Sequence, residues 1–140
     1  MGFFDRWEHF EAEEVLSPGG LELLYIKGCF PLQFRALDKL SELRERIGKS
    51  ILINHNGHTH RGFRTPKENY EVQKGVGNNP WAHSFHMSGC AFDITVSGMT
   101  PEQVGEAAKA QGWLGIGLYN TWTHIDLRDG KLTLWDNRTK

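Results

Sequence analysis

Long apolar runs, groups of cysteine and an excess of charge of either sign are all missing from this sequence of 140 residues. No stretch approaches the ~20 apolar residues of a membrane span, so insertion into a bilayer is not expected. The opening MGFFDRWEHFEAEEVL has neither a basic start nor an apolar middle, and no secretory signal is expected there. The reading is a chain made in the cytoplasm that stays soluble unless another factor exports it. Its two cysteines, Cys29 and Cys90, show no CxxC spacing, which favours two reduced, partly buried thiols over one long disulfide. A net charge of -1 with the signs interspersed offers no basic stripe, which excludes nucleic acid as an expected partner.

What is present is enough for one core. At 39% hydrophobic residues the chain is read as a single domain over 1–140, with residues 1–30 wrapping a core at 31–140, and as a monomer. Phe34, Leu37, Leu40, Leu43 and Ile47 recur every three or four residues between charged ones, which predicts an amphipathic helix ended by Gly48. SILIN (Ser50 to Asn54) predicts a short strand, followed by about forty residues rich in Gly, Asn, Pro and His that read as a functional loop region. CAFDITV (Cys90 to Val96) predicts a strand, and Thr100 with Gln103 around Pro101 a capped helix start. GIGLY, TWTHIDL and KLTLW predict three more strands, the last two joined as a hairpin through Asp129 and Gly130. Strands following one another through short turns indicate an α+β fold, an antiparallel sheet with helices packed on one side.

The chemistry lies in an uneven set of seven histidines. His86 stands just ahead of a Ser-Gly turn, and Asp93 sits inside the apolar strand that follows. An unpaired carboxylate there would cost several kcal/mol, and CAFDITV carries no Lys or Arg to neutralise it. A metal ion is the economical partner. His124, from the strand TWTHIDL, would complete a set of two imidazoles and a carboxylate with one tetrahedral position left open for water. Alternation places Asp126 on the same strand face as His124 and Trp122, opposite Thr123, Ile125 and Leu127. Asp126 is then either a general base beside the metal or the partner of Arg128 in an ion pair. A second group, His55, His58 and His60 in NHNGHTH, has HxxHxH spacing that could hold a metal by itself, line the cleft, or be solvated loop. His9 reads as structural.

SFHMSGCAFD (Ser84 to Asp93) matches the pattern SxHxxGxAxD of the M15 or D-alanyl-D-alanine carboxypeptidase group of zinc peptidases, which cut bacterial cell-wall peptides and share a fold with hedgehog signalling domains. GFRTPKEN (Gly62 to Asn69) resembles that family's Gly-Tyr-Arg-Thr segment, and GIGLYNTWTHIDLR (Gly115 to Arg128) its closing GxGxY and HxD segment. The resemblance runs from about Leu37 to Trp135. It implies Zn2+ as cofactor with His86, Asp93 and His124 as ligands, and Arg64 holding a substrate carboxylate through two parallel hydrogen bonds. Ser84 and His83 are the further candidate substrate contacts.

Two departures matter. The His-rich insert ahead of Arg64 and the longer segment Tyr70 to Pro80 lie where the substrate cleft would be, so specificity does not transfer. The position of the catalytic acid also differs. Several relatives carry the catalytic acid three residues before the last zinc histidine, and here that position is Thr121. The proton role then falls to Asp126, or catalysis is impaired. The expectation is a zinc peptidase acting on peptidoglycan stem peptides or cross-links, as carboxypeptidase or endopeptidase, from a phage or prophage and acting on the wall after release or as part of the virion. The rival expectation is a non-catalytic zinc-binding or structural phage protein on the same fold.

Overall fold

The computed structural model describes residues 6–139. Two short helices come first, α1 (Ala12–Val15) and α2 (Pro18–Tyr25), the second started by the Ser17 hydroxyl accepting from the Gly20 N–H. Val15, Leu16 and Leu24 from this region are buried with Trp7 and Phe10 in the same apolar cluster as Leu37, Leu40 and Phe92. Helix α3 (Phe34–Ile47) forms where the apolar spacing places it, burying Ala36, Leu37, Leu40 and Leu43, and ends at Gly48. Helix α5 (Pro101–Ala110) starts at Thr100 with the predicted capping box to Gln103.

Helix α4 (Pro66–Gly75) lies inside the segment read as loop. Its start, Thr65-Pro66-Lys67-Glu68, uses the same reciprocal cap as α5. The helix escaped notice because its only fully buried residue is Asn69, so it has no apolar stripe to read. Glu68 also accepts from Ser17 Oγ and from the Gly19 N–H (3.0 Å), tying the start of α2 to the start of α4.

Five strands, β1 (Ile51–Leu52), β2 (Ala91–Val96), β3 (Gly115–Leu118), β4 (Thr123–Asp126) and β5 (Thr133–Asp136), form one sheet in the order β1-β2-β4-β3-β5. The first three pairings are antiparallel and β3–β5 is parallel. The predicted hairpin between the last two strands is therefore absent. The chain does turn at Gly130, whose φ is 96°. Both edges of β4 are already occupied by β2 and β3, so the chain has to cross to the free edge of β3.

The sheet has two unlike faces. On one, Phe92, Ile94, Ile116 and Ile125 are buried against α5, whose Gly105 approaches Ile116, Leu118 and Thr123, while α3 packs beside α5. Each such side chain stabilises the fold by about 1.5–3 kcal/mol relative to exposure. The other face carries Asp93, His124 and Asp126. Asp93 and His124 are direct partners across the β2–β4 ladder, which brings their side chains together. No helix among the described residues is long and apolar enough to cross a membrane. Of the two free thiols Cys90 is buried, but Cys29 is exposed, contrary to the expectation that it is partly buried.

Candidate metal centre

The site is assembled from two strands and one turn. Asp93 is anchored from its own backbone, its N–H donating to the Arg61 carbonyl (2.7 Å), so residues ahead of α4 are held against β2. His86 arrives on the turn before β2, in which Met87 N–H donates to Ser84 O and Ser88 N–H to Phe85 O. Gly89 makes that turn possible: its φ is 72°, and a Cβ there would collide with the Pro31 carbonyl. The Ser-Gly pair seven residues past Trp81 is thus the device that swings an imidazole back over its own strand.

The three side chains meet at one point. His86 Nε2 lies 3.3 Å and His124 Nδ1 2.9 Å from the same oxygen, Oδ1 of Asp93. The ring centroids of the two histidines are 5.0 Å apart. With one donor atom from each residue within 4.8 Å of the others, this is the group of three found among the described residues that could hold a metal ion.

Outer hydrogen bonds set which atoms face inward. His86 Nδ1 is 2.8 Å from the Gly62 carbonyl, which can only accept, so Nδ1 carries the proton and Nε2 turns a lone pair to Asp93. His124 Nε2 is 2.7 Å from Asp126 Oδ2, which leaves Nδ1 for Asp93. Two imidazole nitrogens and an anionic oxygen converging in a buried space need a cation between them. Without metal a proton serves: burial alone would lower the His124 pKa, but the hydrogen bonds of Asp126 and Asp93 outweigh it and push it up to about 9. Burial lowers the pKa of His86. It would raise that of Asp93, yet the adjoining His86 and His124 hold this carboxyl far below the usual range. Two nitrogens and one carboxylate oxygen, each oriented from outside, suit a divalent ion of the zinc type.

The group lies in a cleft of about 520 Å3. Arg64, Ser84 and His83 line the same cleft. Arg64 is 7% exposed; its Nη2 donates to Ser84 Oγ (3.4 Å), and its Nε finds no partner among the described residues. Ser84 Oγ also accepts from the His86 N–H (3.3 Å), linking this arginine to a metal-facing residue. His83 is exposed, with Nε2 3.3 Å from Ser88 Oγ. Asp126 is fully buried and paired with Arg128, as the ion-pair alternative holds. Thr121 is exposed, and its carbonyl accepts from Thr95 Oγ1. His55, His58 and His60 do not converge: His58 meets Arg61 Nη2 (3.3 Å) and His60 sits 3.4 Å from Glu68. The second metal candidate is thus not assembled. His9 lies 3.6 Å from Glu45.

Four contributors escaped the sequence reading. A Cβ on Gly115 would strike the Asp126 carboxylate, and one on Gly117 the Trp135 indole, so the Gly-Ile-Gly strand is bare because its neighbours fill that space. Trp135 packs its ring 5.2 Å from His124 and donates from Nε1 to the Tyr119 hydroxyl (3.1 Å). Arg61 stacks at 4.4 Å over Trp122, which lines the cleft. The glycines at alternate positions of β3 were the available signal, since both lie on the face of His124.

In comparison with known proteins, a family model described as Peptidase M15 matches residues 16–126. That span takes in Arg64, Ser84, His86, Asp93, His124 and Asp126 and stops short of Arg128 and Trp135. No curated protein matches the chain.

Proposed function

The chain belongs to the Peptidase M15 family of metallopeptidases, and from that premise we propose that it is a zinc peptidase hydrolysing peptide bonds of bacterial peptidoglycan. One observation carries the reading: His86, Asp93 and His124 present three oriented donors to a single point in a cleft that also holds an arginine whose Nε has no hydrogen-bond partner among the described residues. A zinc ion held by these three would supply Lewis-acid activation of water and of the scissile carbonyl. Gly62 and Asp126 keep the two imidazoles in register, and Ser84 steadies the side chain of Arg64. Arg64 binds a substrate carboxylate, which orients the peptide; burial lowers the pKa of this guanidinium, and an anionic ligand would offset that desolvation. Cell-wall stem peptides carry several carboxylates, which supports them as the substrate class. Delivery to the wall as a phage or prophage lysin, or as a virion component, belongs to the same proposal.

The test is digestion of purified cell walls by zinc-loaded protein, with mass spectrometry of the released muropeptides. New peptide ends that vanish with a chelator and with Asp93→Ala are expected. Intact walls despite full zinc occupancy would favour the non-catalytic zinc-binding reading instead.

A further inference from the structure

Asp126 is placed where it can hold His124 but not where it can reach a substrate. Its Oδ1 accepts from the Arg128 backbone N–H (3.1 Å) and Nε (2.9 Å), and its Oδ2 from Arg128 Nη2 (2.8 Å) and His124 Nε2 (2.7 Å). Each oxygen has two donors, which uses the acceptor capacity of the carboxylate. The side chain is fully buried, and His124 and Arg128 line the cleft in front of it while Asp126 does not. Arg128 is itself clamped, its guanidinium lying 4.6 Å over Phe85 and 5.2 Å over Trp135. On the remaining side the carboxylate rests on the bare backbone of Gly115.

We propose that Asp126 is a positioning residue, locked by Arg128 and seated on Gly115, that fixes the His124 ring with Nδ1 toward the metal, and that the proton of the reaction is accepted elsewhere. The inference rests on the metal reading above and deepens it. A histidine ligand whose second nitrogen donates to a carboxylate is held in one tautomer and one orientation and is a more basic ligand, and loss of such a partner typically weakens metal binding by about 10–100-fold. The bidentate, main-chain-assisted grip of Arg128 makes the carboxylate rigid, and the clash that any side chain at position 115 would cause makes its place specific.

Zinc dissociation constants measured by competition with a chelating indicator, and the visible absorption of the cobalt-substituted protein, test this on Asp126→Asn and Gly115→Ala. Gly115→Ala displaces the carboxylate without removing it. Both are expected to weaken zinc by about 10–100-fold and to alter the cobalt spectrum, and saturating zinc is expected to restore most wall hydrolysis to Asp126→Asn. Should Asp126→Asn fail to fold, Arg128→Lys, which keeps the charge but loses the two-pronged grip, carries the same expectation. Unchanged zinc affinity and cobalt spectrum, with hydrolysis lost at saturating zinc, would make Asp126 the proton acceptor and overturn the proposal. A wild-type protein that takes up no zinc overturns the metal reading first, and this inference with it.

Discussion

Two groups of imidazoles in one chain end up chemically unlike. His55, His58 and His60 are packed closely in sequence, yet His55 and His58 are exposed and each member that has a partner has a different one. His86 and His124 are far apart in sequence and share one carboxylate oxygen. Spacing along a loop leaves side chains free to point anywhere, whereas a β-ladder and a hydrogen-bonded turn leave them one direction. Metal-binding capacity therefore follows the rigidity of the backbone behind the ligands more than the density of histidine.

The comparison breaks most sharply at Asp93. Asp93→Ala removes a direct ligand and is expected to weaken zinc by more than the ~100-fold that loss of an outer partner can cause, read as metal content after dialysis. Next comes Arg64, whose guanidinium bonds to a charged group are each worth roughly 1.5–3 kcal/mol. Arg64→Ala is expected to lower kcat/KM on wall peptides by about 10–100-fold while leaving bound zinc unchanged, a split that separates substrate binding from the metal centre.

A smaller effect tests the proton that stands in for the metal. His124 has a folded pKa raised to about 9 from 6.5, so its contribution to stability is fully present below pH 6.5 and is lost as pH rises through 9. The melting temperature of metal-free protein is expected to fall by several degrees over that interval, and that of zinc-loaded protein to change much less, as calorimetry would show. The smallest effect belongs to the loop. Replacing His55, His58 and His60 together with Ala is expected to leave zinc stoichiometry at one and affinity within about twofold, and a second zinc lost with the loop histidines would reverse the comparison.

Much of the site was legible because it is built from patterns with local causes. An acid inside CAFDITV without a nearby base announced a cation, and the Ser-Gly turn announced the reversal that returns His86 to it. Less legible was anything that depends on a neighbour. The Asp129-Gly130 turn is real, but a turn does not say which strand edge is vacant, and β4 had none. Helix α4 had a readable cap in Thr65 and Glu68 but no apolar face, because it stands at the cleft rim with Val72, Gln73 and Val76 turned to the opening. Asp126 could be placed on the face of His124 by alternation, with Arg128 as a candidate ion-pair partner, while the rings of Phe85 and Trp135 came to lie against that guanidinium only with the fold.

The sequence by itself determined the helices with apolar stripes, the existence of a metal-seeking acid, and the residues that answer it, since periodicity and the cost of a buried charge can be read from the residues alone. Tertiary structure alone decided the strand order, the free edge that β5 takes, and which nitrogen of each histidine faces inward. The nitrogens are set by hydrogen bonds to the Gly62 carbonyl and to the Asp126 carboxylate that Arg128 holds, groups brought close only after the sheet has formed, and the strand order by which edges the neighbouring strands leave vacant.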